Sequence, residues 1–357
     1  MSTLSILTNQ TIIIMNKHEN ACTRTTKQVS AMLLAAVIIT LVCCSRSGLQ
    51  SDGDSLNNVN ANLALPEIYV NDVGAVAGDT LNDTWAFQKA IDSMAGLGGG
   101  IVRVRSGKYY IDVDTSIVMK NNVTLYMYDT TRQLIAKPTD SGRSYVIEIR
   151  NVNNVTVMGG KIIGERYIHT GPTCTGKCEQ GYGIGIFGSS NVKVVRTHIS
   201  DCWGDGIMVS GSAGVSSRDI TVKRVTCTNN RRQGMSILRV NGMLVDSCAF
   251  MYTNGTAPQD GIDIEPDADT AQNITITNCE FGYNVGNGIE MNAKTSTSAV
   301  IRNVTVQNNL IHHSKYAGYI QHVSNVTFNY NTFQNIQFNP KLKTNDTTNC
   351  IMTPNYW

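Results

Sequence analysis

Three acidic residues lie close together in the segment DGIDIE at residues 260–265. If this segment is a β-strand, Asp263 and Glu265 face the same side, about 6–7 Å apart along the strand. Paired carboxyl groups hydrolyse glycosides: one protonates the leaving oxygen, and the other activates water or attacks the sugar. Crowded carboxylates also raise one another's pKa, which keeps one protonated as the acid. The segment therefore predicts a two-carboxylate catalytic site that includes Asp260, Asp263 and Glu265.

Similar segments, each a glycine followed by alternating apolar residues, recur along the chain. They start at Gly183, Gly206, Gly234, Gly261, Gly288 and Gly318, with spacings of 23, 28, 27, 27 and 30 residues. Two other families of short apolar segments alternate with them, so each unit holds three short strands separated by polar turns. No unit can bury its apolar face alone, so the units must stack. The pattern predicts an all-β fold, a single-stranded right-handed parallel β-helix with three short strands per rung.

An amphipathic segment precedes the first strand. Residues 85–95 carry Phe87, Ile91 and Met94 at helical spacing, after a run of capping residues at 82–84. A helix there would cover the first open rung, which would otherwise be an exposed sheet edge. We therefore predict an N-terminal capping helix and a β-helix domain over residues 66–357.

Stacked rungs bring residues from different units together. Rungs lie about 4.8 Å apart, so Asp263 and Glu290 become neighbours on the outer face. The residue before each glycine forms another column, in which Asp205 joins Gln233 and Asp260, and Arg231 and Arg232 lie just ahead of it. We predict four catalytic carboxyl residues, Asp205, Asp260, Asp263 and Glu265, with Arg231, Arg232, Gln233 and Glu290 binding substrate.

Other uses of these residues stay open. The arginines could bind a carboxylate or sulfate of the substrate, or neutralise the nearby acids. Single aspartates next to glycine are also common in turns. We predict no metal site and no cofactor. Binding of Ca²⁺ is an alternative use of the same carboxylate oxygens.

A loop that ends at Gly183 supplies further candidates. Loops that leave a rigid scaffold commonly carry binding residues, so we predict that four residues of the loop and its flanks border the cleft: Glu165, Arg166, His169 and Glu179. Trp203, in a turn near the glycine-led strands, is predicted to stack on sugar rings. Local salt bridges and packing are the alternatives. Cys174 and Cys178 are predicted to form a loop disulfide. Cys202, Cys227, Cys248 and Cys279 recur near the ends of third strands and predict an internal stack of small apolar side chains.

A family resemblance follows from the N-terminal part of the domain. Residues 71–75 (NDVGA), 83–91 (DTWAFQKAI) and 98–110 (GGGIVRVRSGKYY) resemble the signature of pectate-lyase-like β-helix proteins, and the later repeats resemble that superfamily too. Its members include polygalacturonase-type glycosidases, polysaccharide lyases, uronan epimerases and phage tailspikes, which act on or bind acidic or complex glycans.

The resemblance also implies site residues. Polygalacturonase-type enzymes place catalytic acids on adjacent rungs, and Asp205, Asp260 and Asp263 match best by position. The chain lacks the Asn-Thr-Asp, Asp-Asp and Gly-His-Gly motifs of that group. The resemblance therefore implies a two-acid mechanism rather than polygalacturonase activity itself.

The N-terminus reads as an export signal. Residues 31–44 form an apolar run of 14, too short for a membrane span of about 20 but typical of a signal peptide. Met15 is a better start than Met1. Cys44 follows a segment that resembles a lipobox, so we predict lipidation there and a cell-envelope or secreted protein. An ordinary cleaved signal or a short buried helix are the alternatives. Residues 1–44 are assigned to the signal and 45–65 to a flexible tether.

Charge limits the range of partners. The chain of 357 residues carries 29 basic and 27 acidic residues, a net charge of +2, which gives no electrostatic footprint for nucleic acid. We predict a polysaccharide partner, and the arginines favour an anionic one. Membrane contact is expected only through the lipid anchor, and oligomeric state is not predicted.

Three functions follow from these patterns. The first is an exported glycosidase that uses two of the acids. The second is a uronic-acid polysaccharide lyase or epimerase, in which a basic residue abstracts the proton beside a uronate carboxyl. The third is a glycan-binding or adhesive β-helix without catalysis. An open groove floored by carboxylates is expected for the first, and a central basic residue with a cation site for the second.

Overall fold

The computed structural model describes residues 65–172, 178–294 and 298–357. Strands dominate these residues, and all pairings between the strands named below are parallel. Within these ranges the one α-helix, α1, spans Thr84–Gly96, and a short 3₁₀ turn spans Val70–Val73. The predicted right-handed parallel β-helix with an N-terminal helix is confirmed.

Each rung supplies strands to three sheets. Sheet A contains β4 (Ile117–Val118), β7 (Arg143–Arg150), β10 (Gln180–Phe187), β13 (Asp205–Ser210), β16 (Gln233–Ile237), β19 (Ile262–Ile264) and β22 (Ile289–Asn292). Sheet B contains β1 (Glu67–Tyr69), β2 (Gly100–Arg103), β5 (Val123–Met127), β8 (Asn153–Gly159), β11 (Ser190–Val195), β14 (Ser217–Lys223), β17 (Val240–Asp246), β20 (Thr270–Thr277) and β23 (Val300–Gln307). Two longer strands, β25 (Gly318–Asn329) and β27 (Leu342–Thr348), continue both sheets.

Sheet C completes the rung. It contains β3 (Gly107–Ile111), β6 (Arg132–Ala136), β9 (Lys161–Ile163), β12 (His198–Ser200), β15 (Thr226–Thr228), β18 (Ala249–Met251), β21 (Glu280–Gly282), β24 (Leu310–His312) and β26 (Thr332–Gln334). Parallel stacking of all three sheets encloses one elongated apolar core.

Strand parity decides which side chains enter that core. In sheet A the apolar residues two positions apart, such as Ile262 and Ile264, are fully buried inside the helix. The cysteines predicted to stack internally, Cys202, Cys227, Cys248 and Cys279, are buried free thiols. They fill the core as small apolar groups, as predicted.

The capping helix closes the first rung. Phe87, Ile91 and Met94 of α1 are buried, which removes apolar surface of the first rung from water. Asp83, just before α1, accepts hydrogen bonds from the backbone N–H groups of Val76 (2.9 Å) and Tyr110 (3.1 Å). The side chain thus ties the start of the helix to the first rungs. No helix within the described ranges has the length and apolar character needed to cross a bilayer.

Turns between sheets repeat on successive rungs. Asn122, Asn154 and Asn191 all adopt positive φ angles, a conformation that asparagine tolerates better than most residues. Asn154 donates its side-chain amide to Asn122 Oδ1 at 2.9 Å, and Asn191 does the same to Asn154 at 2.6 Å. These ladders hold successive rungs in register. A fixed register also aligns the side chains on the outer face of sheet A.

Candidate active site

The outer face of sheet A carries a groove. A cavity of about 210 Å³ is lined by residues from β10 to β22 and the segments around them: Glu179, Gln180, Tyr182, Met208, Arg232, Ser236, Leu238, Asp263, Glu265, Asp267 and Lys294. A neighbouring cavity of about 300 Å³ shares Tyr182, Met208 and Leu238 and extends toward β7. The two cavities form one continuous groove along the rungs.

One column of side chains runs along the middle of this face. Strand register aligns nine positions on successive rungs, which we call the central column: Val118, Glu148, Gly185, Met208, Ser236, Asp263, Glu290, Tyr319 and Lys343. The predicted vertical pairing of Asp263 with Glu290 is confirmed by this register. Met208 and Ser236 also lie on the outer face and line the groove. Both are nevertheless buried, because Tyr182, Leu238 and Arg232 lie around them.

Asp263 occupies the centre of the groove. Its side chain is on the outer face, yet only 3% of the residue is exposed. Gln233 Nε2 donates a hydrogen bond to Asp263 Oδ2 at 2.9 Å, whereas Oδ1 is buried without a hydrogen-bond partner among the described residues. Burial, together with the negative charges of Glu265 and Glu290, raises the pKa of Asp263 well above its usual range. The protonated acid is therefore favoured there.

Asp205 and Arg232 form a buried ion pair beside Asp263. Arg232 Nη1 lies 3.2 Å from both carboxyl oxygens of Asp205, and Arg232 Nε lies 3.6 Å from Glu179 Oε1. Ser236 donates its hydroxyl to Asp205 Oδ2 at 2.8 Å. Burial raises the pKa of Asp205, and Arg232 offsets part of that rise. The negative charge of Asp205 in turn raises the pKa of Arg232.

Asp260 and Glu290 form a second acidic pair next to Asp263. Asp260 precedes the strand of Asp263, β19, and Glu290 lies on the next rung, in β22. Asp260 accepts a hydrogen bond from the backbone N–H of Asn287, whose side chain donates to Glu290 Oε2 at 2.9 Å. Burial and the charges of Asp263 and Glu290 raise the pKa of Asp260 well above its usual value. Burial also raises the pKa of Glu290. Asp205 and Asp260, two of the predicted catalytic acids, are both 0% exposed and do not line the groove.

Glu265 lies at the rim of the groove, on the same side of the strand as Asp263. Its side chain is half-buried, and Lys294 Nζ lies 3.4 Å from Glu265 Oε1 and 3.1 Å from Asp267 Oδ1. The ammonium group offsets part of the charge of the two carboxylates. Asp263 and Glu265 are therefore the two predicted catalytic residues that reach the groove.

Several residues predicted to bind substrate lie outside the groove. The indole of Trp203 is covered by the His169 ring, with ring centroids 4.0 Å apart, and by the Arg231 guanidinium, 3.8 Å from the ring centroid. Trp203 Nε1 donates to the backbone oxygen of Cys178 at 2.7 Å. These contacts leave the Trp203 ring no free face for a sugar, so the three residues pack the loop instead.

Glu165 and Arg166 are also held by local contacts. Ser144 donates its hydroxyl to Glu165 Oε1 at 3.1 Å, and burial raises the pKa of Glu165. Arg166 donates to Asn229 O and Asn254 Oδ1, both at 2.7 Å. Of the loop residues predicted to border the cleft, Glu179 is the one that lines it.

The predicted cysteine roles are only partly within the described residues. Cys178 is disulfide-bonded, but its predicted partner, Cys174, lies outside the described residues, and so does the predicted lipidation site, Cys44. Among the described residues, no group of three His, Cys, Asp or Glu side chains is arranged to hold a metal ion.

Sequence reasoning missed several groove residues. Tyr182 directly precedes Gly183 and so belongs to the column of Asp205 and Gln233, a signal that could have identified it. Burial and the charge of Asp205 raise the pKa of its hydroxyl. Leu238 and Lys294 follow the ends of β16 and β22, and the sequence analysis named neither as a site residue.

Comparison with known proteins gives a family match and two relatives. The model of the family described as right-handed beta helix region matches residues 99–265 and 210–333. The uncharacterized protein YclG of Bacillus subtilis is 28% identical over 61% of this chain and 42% of its own length. The SPbeta prophage-derived protein YorA of the same organism is 27% identical over 64% of this chain and 44% of its own length. The chain thus spans less than half the length of these curated relatives.

Solved structures of phage proteins share the fold. The N-terminal fragment of bacteriophage phi29 gene product 12 has a TM-score of 0.63 at 16% identity, covering 74% of this chain and 47% of that chain. The tailspike gp49 of Acinetobacter baumannii bacteriophage Fri1, a capsular polysaccharide depolymerase, has a TM-score of 0.56 at 18% identity, covering 80% and 57%. The tailspike of E. coli bacteriophage HK620, solved with a pentasaccharide, has a TM-score of 0.51 at 14% identity, covering 75% and 57%.

Proposed function

The chain belongs to the right-handed β-helix family, and from that premise we propose that it is a glycoside hydrolase that cleaves a polysaccharide in the sheet A groove. One observation carries the proposal. Asp263, a buried carboxyl group whose pKa is raised, lines the same groove as Glu265, which lies two residues further on the same side. An acid kept protonated beside a second carboxylate is the arrangement that glycoside hydrolysis requires.

Each carboxyl group has a distinct role. Asp263 donates the proton from Oδ1 to the oxygen of the leaving sugar as the glycosidic bond breaks. Glu265 acts at the anomeric carbon on the other side, either by taking a proton from the attacking water or by attacking directly. The configuration of the first product distinguishes these two routes. In both, one water molecule is consumed for each bond cleaved.

The buried network positions these groups. Gln233 holds Asp263 Oδ2 at 2.9 Å and accepts the backbone N–H of Asp260 at 2.8 Å. Arg232 and Ser236 fix Asp205 beneath the groove. Rigid support of this kind keeps catalytic groups within a fraction of an ångström of their working geometry. Asp205, Asp260 and Gln233 are therefore positioning residues in this mechanism.

The phage tailspikes support the choice of a glycan as substrate. One is described as a capsular polysaccharide depolymerase, and another was solved with a pentasaccharide. Because a shared fold does not fix function, the assignment to this chain rests on the groove and its carboxyl groups.

We also propose that the protein is exported, because the apolar run at residues 31–44 has the length of a signal peptide. Lipidation of Cys44 would hold the folded domain at a membrane through a flexible tether. Mass spectrometry of the mature N-terminus tests both points. A diacylglyceryl group on Cys44 supports the anchor, and an intact Met1 or Met15 terminus contradicts export by cleavage.

An activity screen tests the proposed reaction. The full chain is incubated with polygalacturonate, alginate, dextran sulfate and laminarin, a panel that covers uronic, sulfated and neutral glycans. New reducing ends and the absorbance of a new C=C bond are followed together. The proposal predicts reducing ends without the double bond on at least one glycan, and loss of that activity in Asp263→Asn.

Two controls make the screen specific. Asp346→Asn is the same chemical change at an exposed position on β27, outside the groove, and should keep full activity. Equal yields of reducing ends and double bonds would indicate a lyase instead. Binding to a glycan without any product would favour the adhesive alternative.

A further inference from the structure

Aromatic side chains flank the carboxyl groups of the groove on both sides. Toward the N-terminus, Tyr145, Tyr182 and Phe187 cluster on the outer face around β7 and β10. Toward the C-terminus, Tyr316 and Tyr319 lie at the next rungs after β22. The mechanism above uses neither group.

The N-terminal cluster depends on a glycine in the central column. The rings of Tyr145 and Phe187 are 5.5 Å apart and nearly perpendicular. A Cβ atom added to Gly185 would lie 2.5 Å from Phe187 and 2.7 Å from Tyr145. The missing side chain therefore lets both rings lie close over the sheet. Arg150 stacks on Phe187 at 4.2 Å from the ring centroid, and its Nε donates a hydrogen bond to Glu148 Oε1 at 2.6 Å.

The C-terminal cluster has the same composition. Tyr319 continues the central column two rungs beyond Asp263, and its ring centroid lies 5.9 Å from that of Tyr316. Tyr316 in turn contacts Phe338, with centroids 5.3 Å apart. Lys343 Nζ lies 4.9 Å from the Tyr319 centroid. Tyr145, Tyr316 and Tyr319 are half-buried, whereas Tyr182 and Phe187 are buried and Phe338 is exposed. Each cluster therefore has at least one tyrosine ring that is partly exposed.

Rung spacing gives the separation of these clusters. With rungs about 4.8 Å apart, Tyr182 lies three rungs, or about 14 Å, from Asp263 on one side. Tyr319 lies two rungs, or about 10 Å, from Asp263 on the other side. A ligand that contacts both clusters must therefore extend well beyond the reacting bond in both directions. A mono- or disaccharide is too short to do so.

We propose that these two aromatic clusters are glycan subsites on opposite sides of the scissile bond, so that the protein binds an internal stretch of polysaccharide and cleaves it in endo fashion. The apolar C–H faces of sugar rings pack on the rings of Tyr and Phe, and the Tyr hydroxyl groups and nearby cationic side chains contact polar substituents. This inference rests on the proposed function for its reaction, but the binding it requires is measured separately.

Affinity electrophoresis measures that binding directly. Gels that contain each of the four panel glycans are run with catalytically disabled Asp263→Asn as the parent, so that binding is read without cleavage. Tyr319→Ala and Tyr145→Ala are introduced one at a time. Each is expected to weaken binding by about tenfold, the loss of roughly 1.4 kcal/mol of contact energy. Thermal melting of each variant confirms that it is folded.

Tyr128→Ala is the matched control. Tyr128 is an exposed tyrosine with an arginine over its ring, 5.4 Å from Arg132, but it lies at the end of β5 in sheet B. Its removal should leave binding unchanged. Full retention of binding in folded Tyr319→Ala and Tyr145→Ala overturns the subsite proposal, and so does the absence of binding to every panel glycan.

Product length tests the endo mode. The proposal predicts a rapid fall in polymer viscosity while few reducing ends have formed, and a larger share of short products in Tyr319→Ala. Release of single sugars from the start contradicts it. If Asp263→Asn keeps wild-type activity while the tyrosine variants lose binding, the catalytic assignment fails and the subsites stand.

Discussion

The side-chain amide of Gln233 donates a 2.9 Å hydrogen bond to Oδ2 of Asp263 and leaves Oδ1 of the same carboxyl group without a partner among the described residues. The two residues come from adjacent rungs of sheet A, β16 and β19. Gln233 is itself fixed, because its Oε1 accepts the backbone N–H of Asp260 at 2.8 Å. One oxygen of the proposed acid is therefore held by Gln233, and the other is buried at the groove without a hydrogen bond among the described residues.

Replacing Gln233 by Met tests this arrangement. The change keeps the volume but removes the donor to Asp263, so one buried oxygen and one buried N–H lose their partners, at a cost of about 1–3 kcal/mol in unfolding free energy. Donated hydrogen bonds favour the ionised carboxylate. Their loss should raise the pKa of Asp263 further and move the alkaline limb of the pH–activity profile to higher pH. An unchanged profile in the folded variant would show that Gln233 does not position the acid.

Stability should fall as the pH rises above the usual Asp range. Burial raises the pKa of Asp260 and Asp263 well above 3.8, so the folded state keeps protons that the unfolded chain releases. Stability is then greatest below about pH 4 for these groups and declines toward their folded pKa values. Asp260→Asn, which cannot ionise, should flatten that decline in urea melts recorded across pH.

Asp246 provides a control of opposite sign. Hydrogen bonds from Asn278 and Lys223 lower its pKa to about 2. Its stabilisation is present above about pH 4 and is lost as the pH falls toward 2. Asp246→Asn should therefore lower stability near neutral pH and leave the decline due to Asp260 unchanged. The same decline of stability with rising pH in wild type and Asp260→Asn would argue against a protonated buried acid.

Much of sheet A could be predicted from the sequence. The glycine spacing and the two-residue strand period leave one way to stack the repeats, so the register of Asp263 on Glu290 and the inward direction of Ile262 and Ile264 followed directly. The degree of burial did not follow. Long side chains such as Arg232 and Tyr182 determine how much of their neighbours is exposed. Strand parity gives the side of the sheet from which a side chain leaves but not where its terminal atoms lie.

The loop before Gly183 was beyond this reasoning. Strand period applies only within strands, and the chain after β9 turns so that His169 stacks on Trp203 and Glu165 meets Ser144. These contacts join residues that are more than 20 positions apart in the sequence. No local sequence pattern indicates such contacts. The sequence therefore did not show that these residues pack against other parts of the chain instead of lining the cleft.

Arg232→Met should be strongly destabilising. It leaves the fully buried Asp205 without its counter-ion, and such a loss typically costs about 3–5 kcal/mol. Arg103→Met is the matched control, because Arg103 pairs with Glu67 at the surface and such pairs contribute about 0–1 kcal/mol. Adding Asp205→Asn to Arg232→Met should recover part of the loss in urea unfolding. Equal costs for the two arginine variants would contradict a buried ion pair beneath the groove.

Cleavage in water enriched in heavy oxygen tests the central claim most directly. The wild-type chain is incubated with the panel glycan it degrades, and the new reducing ends are analysed by mass spectrometry. Hydrolysis through Asp263 and Glu265 predicts one heavy oxygen atom at each new reducing end, and the loss of all labelled product in Asp263→Asn. Unlabelled reducing ends formed together with a C=C bond at the new non-reducing ends would contradict hydrolysis. Labelled product from Asp263→Asn at the wild-type rate would contradict the role of Asp263.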